Sequence, residues 1–269
     1  MISAYHSTGN IASVHWSLLY HTISTANTII DRLPVSEVSE EQKTIAEAKA
    51  RFFRGCAYRT LAYLYGGVPL LLTEVVEPKF DYVRASKEEV LKQALTDVEF
   101  AAVHLPSLSS VQDGEVSNAA AYHLLSELYL ATAQYQKAVD AATTVIDDPA
   151  TGLMYTRFGS RANEVPGDVY WDLFRKNNQN RGSGNTEGIW VIQIETDTPG
   201  GSGSLTAKDQ TYTLERHHAP MVRDVKAHGM NPFSWPIGDY TGGRGIGWAI
   251  STQYFSDEIW KDDFYGDMR

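Results

Sequence analysis

The chain is poor in cysteine, in positive charge and in long apolar runs, and each shortage excludes something. One of its 269 residues is cysteine, Cys56, so no internal disulfide can form. A single thiol inside an amphipathic helix reads as a small buried hydrophobe. Lys and Arg number 23 against 33 Asp and Glu, a formal net charge of −10 with a pI of about 5.2. That balance argues against a general nucleic-acid binder, which needs a basic footprint, and against adhesion to anionic lipid. No run of about 18 apolar residues exists, so no helix is expected to span a bilayer. The longest apolar segment, Leu61 to Leu72, is broken by Gly66, Gly67 and Pro69. No Cys/His set has zinc-ligand spacing. A nucleophile elbow, an H-E-x-x-H helix and a P-loop are all lacking. The glycines at 242, 243, 245 and 247 have no strand-turn-helix unit around them, and His217 and His218 are adjacent, a poor spacing for one metal. The 33 acidic residues supply chance carboxylate pairs, but no local signature marks one as a glycosidase pair about 5 to 10 Å apart. No catalytic residue, metal or cofactor is expected.

What is present is a helical first half. The hydrophobic fraction of 43% supports a core. Leu19, Ile23, Ala26, Ile30 and Leu33 recur at helical spacing, and Pro34 closes that helix. Ser39 with Gln42 makes a capping box for a second helix, whose buried stripe is expected to be Ala46, Ala50, Phe53, Ala57, Leu61 and Leu64. That helix should stop at Gly66 and Gly67, which accept positive φ, before Pro69, which has no amide hydrogen. Ser86 with Glu89 opens a third helix carrying Val90, Leu91, Leu95, Val98, Ala102 and Leu105, stopped by Pro106. Residues 119 to 149 read as a helix pair with tetratricopeptide character: Tyr122, Leu125, Ser126, Tyr129, Ala138 and Ala142 fall at the repeat's aromatic, apolar and small positions. The same spacing suits any helical hairpin. Beyond residue 150 the composition changes, for 16 of 21 glycines and five of six tryptophans lie there. Residues 187 to 195, EGIWVIQIE, read as a short strand, and TPGGSGS at 198 to 204 as a flexible loop. The expected fold is therefore mainly α, with tetratricopeptide-like hairpins over 1–150 and a loop-rich region with a few short strands over 151–269.

The order of these motifs resembles the SusD/RagB family. Glu47, Ala48, Arg51, Phe52, Arg54, Tyr58, Tyr65, Gly66, Val68 and Pro69 carry the likeness most clearly. Asn27 in the first helix, Asp97 to Pro106, and Gly114 to Leu130 followed by Tyr135, Lys137 and Ala138 continue it, with Glu115 where the family has a basic residue. Tyr170, Leu173, Phe174, Asn185, Glu187 and Ile189 follow, then Gly247, Trp248, Ser251, Thr252, Phe255, Trp260, Asp267 and Arg269. The resemblance implies a surface-exposed, lipid-anchored, non-enzymatic glycan-binding subunit at the outer membrane of Bacteroidetes, partnering a SusC-like TonB-dependent porin. Family members would carry a signal peptide and a lipid-bearing cysteine, and no such pattern follows Met1. The early part of the family pattern and everything after its D-x-R segment are also missing. The chain is thus expected to be part of a longer protein, to be marginally stable alone, and to associate with membrane only in the full-length form.

Glycan binding needs aromatic faces for the C–H side of a sugar ring and planar or forked polar groups for its hydroxyls. The late half supplies Trp171, Tyr212, Trp235, Tyr240 and Trp248, with Asn185, Asp209, Arg216 and Arg244. Any of the aromatics could equally be core. Trp248, approached by the glycine cluster, and Tyr212, after the TPGGSGS loop, are the foremost candidates. Tyr240, Arg244 and Tyr5 complete the expected ligand-binding set. The alternatives are a helical-repeat scaffold that binds protein and a glycoside hydrolase.

Overall fold

A computed structural model describes residues 10–193, 226–230 and 251–258. The chain divides into two compact units, Met1–Val191 and Ile192–Arg269. In the first unit the described helices are α1 (Asn10–Arg32), α2 (Glu40–Tyr65), α3 (Lys87–His104), α4 (Asn118–Ala131), α5 (Tyr135–Ile146) and the short α6 (Val169–Leu173). Each of the first four packs on the next. Residues 254–258 of the second unit form one π-helical turn.

Both expected capping boxes are present. The Ser39 hydroxyl accepts from the Gln42 amide and the Gln42 side chain accepts from the Ser39 amide; Ser86 and Glu89 do the same for α3. Glu40, Glu41 and Glu88 add negative charge to the first turns, where the helix dipole favours it. The two glycines that end α2 do different jobs. Gly66 sits at φ 75, as a helix-ending glycine can. Gly67 is there for close approach, since a Cβ on it would lie 2.1 Å from the Ala85 carbonyl oxygen.

The core is a helical one built from Ile23, Phe52, Tyr58, Leu61, Val90, Val98, Leu125 and Leu128 among others. The α3 stripe is buried as expected. The α2 stripe differs from expectation at three positions, the first being Ala46, which is only half-buried. Phe53 and Leu64 are exposed at 37% and 59%, while Phe52, Tyr58 and Ala62 are buried. The buried face also carries Arg54, which reaches Asp97 on α3, with Phe52 and Tyr58 on either side of it in sequence. Gly55 lies at that crossing, where a Cβ would come within 2.5 Å of Val98 Cγ2.

The Arg54 guanidinium is 4% exposed and the Asp97 carboxylate 0%. Nε and one terminal nitrogen donate to the two Asp97 oxygens at 2.8 and 2.7 Å, and the other donates to Asn27 Oδ1 at 2.7 Å and to the Leu72 carbonyl at 3.2 Å. Arg51 adds a longer contact to Asp97 at 3.4 Å while lying over the Phe100 ring. Helices α1, α2 and α3 thus meet at one charge-assisted network.

Leu125, Tyr129 and Ala138 are buried together between α4 and α5, as the hairpin reading requires. Cys56 is half-buried against the same core, and burial pushes its thiol up to about 12. The strand expected over 187–195 is not seen through Gln193, the last described residue of that segment. A strand needs a neighbouring backbone to pair with. Here the segment spends its side chains on the helices instead, with Trp190 edge-on to Phe52 at 5.6 Å. Among the described residues the extended pairings are two isolated bridges, Pro69 with Arg84 and Ala227 with Met230.

Two outcomes follow for stability. Asp97→Ala leaves a buried guanidinium without its counter-ion and is expected to cost about 3–5 kcal/mol in urea unfolding. A loss under 1 kcal/mol would show the network to be incidental. Ala138→Trp overpacks the α4–α5 seam and should cost about 1–3 kcal/mol, read as a lowered melting temperature.

Candidate functional site

The described surface offers one groove with unspent chemistry. Its first wall is a stripe of α1. Trp16, Tyr20, Ser24 and Asn27 are spaced by four, four and three residues, so they share one helix face. Its second wall is the extended chain after the α2 stop. Pro69, Leu71, Thr73 and Val75 alternate by two, so they too share one face. Tyr82, 45% exposed, comes from the return of this segment toward α3. Together they enclose about 510 Å³.

The extended wall is held by helix side chains gripping its backbone. Tyr20 donates its hydroxyl to the Pro69 carbonyl at 2.7 Å. Asn27 Nδ2 donates to the carbonyls of Leu71 and Thr73 at 2.9 and 3.1 Å. The Tyr58 hydroxyl donates to the Leu71 carbonyl and accepts from the Leu71 amide, both at 2.7 Å. Further along, Arg32 pairs with Glu74, and the Glu74 amide donates to Asp31 at 2.6 Å. The Arg32 contact holds the Glu74 carboxyl below the usual carboxylate range. On the far side Arg84 donates to the carbonyls of Gly67 and Tyr65.

The aromatic floor is fixed as well. Trp16 lies 4.9 Å from Tyr20 and edge-on to Tyr65 at 5.1 Å. Burial, with a smaller contribution from Tyr58, pushes the Tyr20 phenol well above its ordinary value, so it stays a neutral donor. No carboxylate and no cation lines the groove. A second groove of about 410 Å³ runs between α1 and α2 beside Phe53. Its hydroxyls and its lysine are committed: Thr22 and Thr25 bond helix carbonyls and Lys49 pairs with Glu115.

Of the expected ligand residues, Tyr5, Tyr212, Tyr240, Arg244 and Trp248 lie outside the described residues, as do Asp209, Arg216, Trp235, both glycine-rich loops and the His217–His218 pair. Trp171 and Asn185 can be placed, and both are structural. Arg175 covers Trp171 at 4.2 Å, with Arg161 and Arg157 also against the ring. Asn185 is buried and donates to the carbonyls of Asn178 and Gln179. Beside them Arg157 chelates the shielded Asp172 carboxylate. Burial pushes that carboxyl up, but the Arg157 and Phe158 hydrogen bonds and the charges of Arg157 and Arg175 outweigh it and hold it low. Among the described residues no group of three or more His, Cys, Asp and Glu is placed to hold a metal, and no helix is long and apolar enough to cross a membrane.

The groove residues are absent from the expected set, yet two signals for them stand in the sequence. The 16-20-24-27 spacing marks a helix stripe, and the 69-71-73-75 alternation marks an extended face opposite it. What the sequence does not show is that the two stripes meet.

Comparison with known proteins gives a consistent result. A SusD-like family model, described as starch-binding associating with outer membrane, matches residues 3–130. A SusD-like protein of Formosa agariphila is 24% identical over 188 residues, covering 69% of this chain and 32% of that protein. One from Bacteroides ovatus is 32% identical over 122 residues, covering 43% of this chain and 22% of the other. Among solved structures, a SusD-like carbohydrate binding protein of Bacteroides fragilis aligns with a TM-score of 0.57 at 20% identity, covering 71% of this chain and 34% of that one. Another structure, determined with xylogluco-oligosaccharide, aligns with a TM-score of 0.58 at 24% identity over 81% of this chain and 41% of that one. The chain therefore spans about a third of the length of the curated relative from Formosa agariphila.

The Tyr58 clasp makes a pH prediction. Burial pushes its phenol up to about 12 from an ordinary 10.0; the Leu71 bond and the Arg54 charge offset part of this, and Asp97 adds to it. The unfolded chain loses this proton first, so the contribution is complete below pH 10.0 and lost as pH rises toward 12. The melting temperature is expected to fall across that window, and less steeply in Tyr58→Phe. At neutral pH Tyr58→Phe strands the Leu71 amide and should cost about 1–3 kcal/mol.

Proposed function

We propose, from the match of residues 3–130 to a SusD-like family model, that the protein captures a soluble oligo- or polysaccharide without cleaving it. The observation that carries this reading is that match. It falls on α1 to α4, the scaffold whose fold is shared with the carbohydrate-binding neighbours. Residues 1–150 supply the rigid helical part and residues 151–269 the loop-rich part that holds the glycan. The ligand residues are Trp248, Tyr212, Tyr5, Arg244 and Tyr240: the rings stack on sugar faces and the guanidinium bonds hydroxyls. No cofactor is needed. The full-length protein works at the outer-membrane surface, held by a lipid anchor, as the binding partner of a SusC-like TonB-dependent porin.

A second reading, a scaffold that binds protein, is favoured by one feature. On α5 the residues Tyr135, Val139 and Ile146 form an apolar stripe that is 65%, 57% and 73% exposed. Glycan capture is preferred because it accounts for the family match and for the late aromatics together.

Trp248→Ala is expected to weaken oligosaccharide binding several-fold in calorimetry while circular dichroism stays unchanged, because an aromatic contact contributes roughly 0.5–1.5 kcal/mol beyond area burial. Unchanged affinity in a folded variant would remove Trp248 from the site. Release of new reducing ends from the sugar would overturn the non-enzymatic reading.

A further inference from the structure

We infer that the groove between α1 and the 69–82 segment is itself a carbohydrate subsite, selective for uncharged glycans. The inference rests on the glycan-capture reading and adds to it a second place of contact and a ligand class. It begins with hydroxyls. Ser24, Thr73 and Tyr82 all line the groove, and among the described residues none of their hydroxyls has a protein partner. Of the other hydroxyls on α1, Thr22 and Thr25 bond helix carbonyls and Thr28 bonds Glu74, while the exposed Ser17 lies outside the groove. The groove thus gathers three unspent donor-acceptor groups above an aromatic floor. The neighbouring 410 Å³ groove has no such set.

The lining also decides the charge of the ligand. None of the nine lining residues is Asp, Glu, Lys, Arg or His. The cations around it are paired: Lys79, over the Tyr82 ring at 5.9 Å, with Asp81, Arg54 with Asp97 and Arg32 with Glu74. An anionic sugar would be desolvated against this surface with no unpaired cation in the lining to receive it. The overall charge of −10 repels a polyanion further. An aliphatic segment of another protein fits less well, because it would cover the three hydroxyls without bonding them. A neutral pyranose answers both surfaces, with C–H faces for Trp16 and Tyr82 and hydroxyl edges for Ser24 and Thr73. The volume of about 510 Å³ is ordinary for a ligand site. Trp16 is already held by Tyr65 and Tyr20, so little freedom is lost on binding.

The test is calorimetric titration of the 269-residue chain with neutral probes (xyloglucan oligosaccharide, laminarihexaose, maltoheptaose) and with an oligogalacturonate of equal length. Three variants are compared. Ser24→Trp fills the groove from an exposed position, Tyr82→Ala removes the exposed ring, and Thr73→Val keeps the shape while deleting a hydroxyl. At least one neutral probe should bind, each variant should weaken it by about three- to tenfold with circular dichroism unchanged, and oligogalacturonate should not bind. If a neutral probe binds all three folded variants as it binds the wild type, the groove is excluded while glycan capture stands. Tighter binding of oligogalacturonate overturns the ligand class. Failure of every probe on the wild-type chain overturns the capture reading and the groove with it.

Discussion

The buried pair of Arg54 and Asp97 is the constraint on which the other contacts depend. A buried ion pair of this kind adds little net stability over an apolar substitute, because both groups must shed their water. Its value is geometric. A guanidinium fork accepts a narrow range of partner positions, and here the partners of this α2 residue come from two other helices and one carbonyl. Asn27 is oriented by Arg54 through its oxygen, which leaves its nitrogen to hold the carbonyls of Leu71 and Thr73. The core charge therefore sets the position of the groove wall through one amide side chain.

This chain of contacts explains why an apparently irregular segment can be a dependable surface. Residues 69 to 75 pair with no sheet among the described residues, yet the carbonyls of Pro69, Leu71, Leu72 and Thr73 are each tied to a helix side chain. Tyr20, Asn27, Arg54 and Tyr58 each contribute a bond to it. Backbone groups of an extended segment must find partners somewhere. In this protein they find them on helices, so the wall is built without a second strand.

Much of this architecture is legible in the residues. The helix starts at Ser39 and Ser86 follow from local hydrogen bonding, which the sequence shows directly. The α3 stripe and the α4–α5 seam follow from periodicity. The burial of Arg54 does not, because its partner lies 43 residues away. Spacing alone put Phe53 and Leu64 in the core, where the structure buries Phe52 and Ala62. The β-rich composition of EGIWVIQIE states a propensity, and propensity yields to context where, among the described residues, no neighbouring strand is present. Trp171 and Asn185 looked like sugar-binding types because composition cannot tell an aromatic stacked on arginine from one stacked on a ligand.

Apart from the Glu74 carboxylate, held by Arg32 and Thr28, the clasp on the 69–75 segment holds main-chain atoms. Replacing Leu72, Thr73 or Val75 breaks none of the bonds to the Pro69, Leu71, Leu72 and Thr73 carbonyls. Stability and surface chemistry are therefore written in different atoms of the same seven residues. Variation can rewrite the wall of the groove residue by residue while the scaffold beneath keeps its hold, so recognition is free to drift where folding is not.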